Sequence, residues 1–259
     1  MPLDKNSNIF IHDCNEIINE VIDIGDYRLG YFCSKSKVKT SEDNEDCLFM
    51  SVKKNGLRIG VADGAGGHPR GRDASYTIAE SFIQDSSQNI GELINSINQK
   101  VIDLKVGAKS TFALADIIDG DISFYCVGDS EVLYWNAQGK MIYSSTPHSI
   151  TGMKVKSGVI DQTQSLQDPD RHYVQNLVGD EFIRIESTSK FQLKKGHTIL
   201  IGTDGIFDNL SHVELEQMAS NGQFEKSFEE LVEKCSEQDE KMWLKEDDIA
   251  FILFRKVKA

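Results

Sequence analysis

The sequence has no apolar run approaching the roughly 18 residues needed to cross a membrane, so no spanning helix is expected. Its five cysteines, Cys14, Cys33, Cys47, Cys126 and Cys235, are scattered, odd in number and never spaced C-x-x-C. That excludes a disulfide framework and a structural zinc site, and the thiols read as reduced core filler. Basic residues are scarce: 28 Lys and Arg stand against 41 Asp and Glu, a formal charge of −13. Without a local basic patch such a surface repels nucleic acid. There is no internal repeat, no low-complexity tract and no Pro/Gly/Ser-rich linker, which leads us to expect a single domain over residues 1–259. Met1 to Asn6 lacks the basic start and apolar stretch of a secretory signal, so the expected location is cytoplasmic.

With 39% hydrophobic and 27% charged residues, the composition is that of a globular protein. Short runs rich in β-branched and aromatic residues predict strands at Tyr27–Cys33, Asp46–Val52, Leu57–Ala62, Thr111–Ile118, Ile122–Val127, Val132–Trp135, Thr198–Gly202 and Ile249–Arg255. Helical spacing covers Arg72 to Gln84 and continues through Ile90 to Leu104; it recurs at Val213–Ala219 and Phe224–Cys235. Asn55-Gly56 and Asp119-Gly120 are tight-hairpin signals. The order of elements points to packed layers of sheet and helix. Residues 146–180 are polar and weakly periodic, a length that in a compact domain signals a functional or mobile segment.

Four strand runs begin or end on aspartate. Asp46 opens one, Asp63 and Asp204 follow two others, and Asp247-Asp248 precedes the last. A carboxylate at the end of a buried strand is fixed in space, as cation ligation requires. Asp63-Gly64 and Asp204-Gly205 add sharp turns that can expose backbone carbonyls. Hard cations such as Mg²⁺ and Mn²⁺ prefer such oxygen ligands.

The segments Asn44-Glu45-Asp46, Val61-Ala62-Asp63-Gly64-Ala65-Gly66-Gly67-His68, Val127-Gly128-Asp129-Ser130, Thr203 to Asn209 and Asp247-Asp248-Ile249 resemble, in order, the motifs of the protein phosphatase 2C family of metal-dependent Ser/Thr phosphatases, in its bacterial form. Lys109-Ser110-Thr111 and His148-Ser149 are smaller matches, and the resemblance spans Tyr27 to Arg255. It implies an α+β fold, a four-layer α-β-β-α sandwich of two antiparallel sheets flanked by helices, with residues 146–180 as a flap.

The resemblance also implies the site. Asp63 bridges two Mg²⁺ or Mn²⁺ ions, with the Gly64 carbonyl on one, while Asp204 and Asp247 hold the other. Glu45 and Asp46 bind or orient metal-bound waters, and Asp129 serves a third ion. Asp208 and Asn209 brace the loop that carries Asp204, Asp248 accepts hydrogen bonds beside Asp247, and His68 is a loop residue. Two cations about 3.5–4 Å apart share and activate a water that attacks the phosphoryl group in line. Cys47 and Cys126 lack the C-x5-R setting of a cysteine phosphatase and no G-x-S-x-G elbow is present, which fits a mechanism without an enzyme nucleophile.

The implied substrate is a phosphorylated protein and the expected state a monomer, with neither nucleic acid nor membrane as partner. A catalytically silent interaction module and a small-molecule phosphatase are the alternatives. Ser41 and Glu131 stand where many members have arginine, Ala250 where threonine is frequent, Asp248 where asparagine is common and Ala65 where some have histidine. If the strand before Glu45 runs on unbroken, Lys35, Lys37, Lys39 and Ser41 share its face. Lys39 is then the candidate phosphate-binding cation.

Overall fold

A computed structural model describes residues 8–38, 43–85, 87, 89–237 and 245–258. The chain begins with five strands, β1 (Asn8–Ile11), β2 (Ile18–Ile24), β3 (Tyr27–Ser34), β4 (Asp46–Lys53) and β5 (Gly56–Gly64), followed by helices α1 (Gly71–Gln84) and α2 (Ile90–Asp103). Strands β6 (Ser110–Ile118), β7 (Asp121–Val127), β8 (Glu131–Trp135) and β9 (Met141–Ser144) lead to α3 (Ile150–Lys156) and α4 (Gln162–Ser165). Then come β10 (Glu186–Ser187), β11 (Phe191–Gln192), β12 (Thr198–Gly202), α5 (Asp204–Phe207), α6 (His212–Ala219), α7 (Phe224–Glu237) and β13 (Ile249–Lys256).

One sheet runs β1-β4-β5-β6-β7-β10, with β11 also on β7, and the other runs β2-β3-β13-β12-β8-β9. The pairings within both are antiparallel. Strand alternation sends side chains to opposite faces, and here both faces are covered. On β4, Leu48 and Met50 enter the layer between the sheets with Val61, Ala113, Ile199 and Ile252. Their neighbours Cys47 and Phe49 face α1 and α2, packing with Ile78, Phe82, Ile94 and Phe112. On β13, Ala250 and Ile252 face the first layer, whereas Phe251 and Leu253 meet Ile206, Leu215, Phe228 and Leu231 of α5 to α7. The architecture is thus α+β, two antiparallel sheets flanked by helices, as expected. Among the described residues no helix is long and apolar enough to cross a membrane.

The expected strands and helices are present, with differences at the margins. The first helical stretch divides in two, α2 being started afresh by the Asn89 side chain, which accepts from the Glu92 amide. Asp119 and Gly120 both have positive φ, the turn that a two-residue hairpin favours. At the other hairpin the loop is Lys54-Asn55, and Gly56 already belongs to β5, where a Cβ would lie 1.8 Å from the Ile117 carbonyl oxygen. Strands β1, β2, β9, β10 and β11, the short helix α5 and the flap helices α3 and α4 lie outside the runs that the sequence marks as strands or helices. Ser149 caps α3, and Lys154 pairs with Asp168 and Asp170 beneath it.

Candidate active site

Antiparallel pairing brings the start of β4, the end of β5, the start of β6 and the end of β7 to one edge of the first sheet. Asp46 is the register partner of Asp63, and Asp63 of Thr111. In the second sheet the same geometry collects the end of β12, the start of β13 and the start of β8. Thr203 joins the two edges. Its hydroxyl donates to Asp46 Oδ2 at 2.7 Å and accepts from the Ala250 amide at 3.0 Å. The result is that Asp46, Asp63, Asp129, Asp204 and Asp247 come to one end of the sandwich.

Each carboxylate has a local support. Buried Asn44 accepts from the Asp46 amide at 2.8 Å. Gly64 lies so close to the start of α1 that a Cβ would come within 2.5 Å of the Gly71 carbonyl carbon. Glu45 Oε1 there accepts from the Arg72 amide at 3.2 Å, which turns it onto the helix N-terminus. Asp129 follows Gly128, whose positive φ and contact with Thr111 leave no room for a side chain. Behind it, buried His148 Nδ1 accepts from the Gly128 amide at 3.1 Å and from the Asn176 side chain at 2.7 Å, so it holds the Asp129 loop to the flap.

Asp248 is almost fully buried and accepts from the Ser36 amide at 2.8 Å and the Glu45 amide at 3.0 Å. It therefore fixes Asp247 to the segment before β4. Asn209 donates to the carbonyls of Gly205 and Lys245 and accepts from the Lys245 amide, all at 2.8 Å. Asp208 turns instead to the Lys245 ammonium at 3.1 Å. The His68 amide bonds to the Ala65 carbonyl, and its side chain borders the cavity.

Strand β3 ends at Ser34, so the alternation that placed Lys39 on the face of Glu45 does not extend that far. Lys39 and Ser41 lie outside the described residues. Glu131, standing at an arginine position, pairs with His212 at 3.1 Å.

The electrostatics are those of crowded, desolvated acids. Burial, followed by the charges of Asp204, Asp46, Asp247 and Asp129, pushes the Asp63 carboxyl well above its usual range. Asp46 and Asp129 are raised in the same way, by burial first and then by Asp248 and Asp204 respectively. Burial raises Asp204 to about 6, with Lys245 opposing. Burial alone would depress the Lys245 ammonium, but Asp204, Asp208 and Asp247 outweigh it and hold it up.

Asp63, Asp129, Asp204, Lys245 and Asp247 line one cavity of about 260 Å³, which His172 of the flap also borders. An adjoining cavity of about 210 Å³ shares Asp129 and Asp204 and runs past Lys156, Arg171 and His212. The sequence did not single out Lys245, His172 or Thr203 as site residues.

The donor set suits a hard divalent cation: Asp129 Oδ1 is buried without a hydrogen-bond partner, and among the described residues no donor reaches the Asp63 carboxylate. Yet among the described residues no three His, Cys, Asp or Glu side chains converge so as to hold an ion as they stand. The Lys245 ammonium is already in contact with both Asp204 and Asp247.

Residues 33–247 match the family model described as protein phosphatase 2C. A protein of Streptococcus pyogenes serotype M6, named as a 2C-type protein phosphatase, is 22% identical over 190 residues, 67% of this chain and 77% of its own. The crystal structure of the serine/threonine phosphatase Stp1 from Staphylococcus aureus superposes with a TM-score of 0.73 at 17% identity, covering 95% of this chain and 97% of that one. The catalytic domain of the phosphatase PstP, solved with two manganese ions, gives 0.72 at 15% identity over 90% and 99%. At these identities the structural likeness speaks for the fold.

Proposed function

Because the chain belongs to the protein phosphatase 2C family, we propose that it is a Mg²⁺- or Mn²⁺-dependent hydrolase that removes phosphate from phosphoserine and phosphothreonine in proteins. The observation that carries this reading is the convergence of Asp46 and Asp63 from one sheet with Asp204 and Asp247 from the other. Burial and mutual repulsion raise Asp46 and Asp63 in particular and leave them short of positive charge. Asp63, Asp204 and Asp247, with the Gly64 carbonyl, would hold two cations, and Asp129 a third. When bound, such ions activate a water and neutralise phosphoryl oxygens.

The chain's own residues supply the rest. Asp46, tied to Thr203, orients water at the seam of the two sheets, and Glu45, held on α1, lies beside it. Asp248 and Asn209 keep Asp247 and Asp204 in register with each other. His172 of the flap borders the same cavity as Asp63, Asp204 and Asp247. We take residues 1–259 as one cytoplasmic, monomeric phosphatase domain acting on phosphoproteins rather than nucleic acid.

The test is hydrolysis of a chromogenic aryl phosphate with Mn²⁺ and with chelator, followed by phosphopeptides against small phosphomonoesters. Mn²⁺-dependent turnover with a preference for phosphopeptides is expected. Absence of turnover would leave a silent interaction module, the reading that the Lys245 contacts favour, and a preference for metabolites would make the chain a small-molecule phosphatase.

A further inference from the structure

Lys245 stands two residues before Asp247, and its side chain is only 17% exposed. Its ammonium bonds Asp204 Oδ2 and lies 3.0 Å from Asp247 Oδ2 and 3.1 Å from Asp208 Oδ2. An ammonium has three N–H donors. Three carboxylates surround it here, which leaves no donor for a substrate phosphate and argues against a phosphate-gripping role in this position. Nor is the residue a loosely hung surface lysine, because Asn209 holds both its amide and its carbonyl at 2.8 Å.

The charge balance is lopsided. Among the described residues, Asp204, Asp208 and Asp247 share an internal cation, whereas no cation pairs with Asp63 and Asp129 Oδ1 has no hydrogen-bond partner. We infer that Lys245 is a tethered cation that occupies the Asp204/Asp247 half of the site, so that a divalent ion binds there only by displacing its ammonium. This rests on the phosphatase reading and refines it: the half of the site around Asp63 depends on an external ion for its charge, whereas the half around Asp204 and Asp247 is filled by the chain itself. A flexible four-carbon stem lets the head withdraw while the backbone stays clamped by Asn209.

Calorimetric titration of Mn²⁺ into wild type and Lys245→Met is the test, with thermal melts in chelator and in Mn²⁺. Lys245→Met should tighten the weaker Mn²⁺ site at least tenfold. In chelator its melting temperature should fall below that of wild type, and Mn²⁺ should restore it. Arg171→Met, which removes one positive charge from the neighbouring cavity wall but leaves the ammonium in place, controls for charge alone and should shift Mn²⁺ affinity several-fold less. Lys245→Gln gives the same comparison if the methionine variant folds poorly. Equal Mn²⁺ affinity in wild type and the Lys245 variants, or an equal gain in Arg171→Met, overturns the inference while leaving the phosphatase reading intact. Failure of every one of these proteins to bind Mn²⁺ overturns the phosphatase reading itself, and the inference with it.

Discussion

Asp46 and Asp63 are direct cross-strand partners at the open end of the β4–β5 pairing, one 2% exposed and both with carboxyls pushed well above the usual range by burial. Like charges placed opposite each other destabilise a sheet. On the proposed metal-dependent reading, an added cation supplies the missing charge. Asp63→Asn relieves the repulsion at equal bulk, so in chelator its melting temperature should match or exceed that of wild type. Each kcal/mol relieved is worth roughly 2–4 °C in a chain of this size. Turnover of a phosphopeptide should fall by more than the roughly 10- to 100-fold that loss of a merely supporting partner brings. Near wild-type turnover in this variant would show that Asp63 is not in the catalytic machinery.

The His148 imidazole gives the fold an acid-sensitive joint. Burial, then the charges of Arg184 and Lys156, lower it from 6.5 to about 4, and its Nδ1 already accepts from two donors. The native state thus binds fewer protons than the unfolded one between these values, and stability rises with pH across that window. The contribution is complete above about 6.5 and is lost as pH falls towards 4, on the order of 3 kcal/mol in all. Melting curves from pH 7 to pH 4 should show this loss, and His148→Gln should flatten it. An unchanged pH slope in that variant would mean that other groups govern acid sensitivity.

Much of this site was legible in the sequence because its carboxylates sit at the ends of strands whose two faces are both apolar. Runs such as Asp46 to Met50 and Ile249 to Leu253 announce buried strands, and the aspartates beside them inherit fixed positions. Strand β2 was not legible, since its residues are mostly exposed and it pairs only along an edge. The flap helices are too short for a periodic signal, although Asp161 and Gln164 form a capping box that could have marked α4. Lys245 was invisible for a different reason. Its role comes from three carboxylates, two of them some 40 residues earlier in the chain, and no local pattern encodes that meeting.

Arg58 and Asp116 test the core away from the chemistry. They are register partners on β5 and β6, 2% and 7% exposed, with Nε and Oδ1 3.0 Å apart. Arg58 also donates to the Phe82 and Asp85 carbonyls at the end of α1. Removing one member of a buried pair strands the other charge, typically at a cost of about 3–5 kcal/mol. Asp116→Ala should therefore lose about that much in denaturant unfolding, and the double variant Arg58→Met/Asp116→Leu should recover most of it. Mn²⁺ affinity should be unchanged in the double variant. A single variant within about 0.5 kcal/mol of wild type, the range of ordinary surface changes, would show that water reaches the pair.

Asp248 offers a sharper discrimination, because the family commonly carries asparagine there. Both of its oxygens accept backbone amides, Oδ1 from Ser36 and Oδ2 from Glu45. Asparagine keeps the shape but turns one acceptor into a donor, so one buried amide would face an N–H it cannot bond. An unsatisfied buried donor costs about 1–3 kcal/mol. Charge works in the opposite direction, since the Asp248 carboxylate repels Asp46 and raises it. Asp248→Asn would lower that repulsion while loosening the join between β13 and the chain before β4. If the hydrogen bonds dominate, as their two short distances imply, the variant should melt lower in chelator and bind Mn²⁺ less tightly, because Asp247 loses its anchor. If relief of charge dominates, it should melt higher. A higher melting temperature with unchanged Mn²⁺ affinity would show that the Asp248 carboxylate is dispensable as a clamp and that Ser36 and Glu45 are held by other contacts.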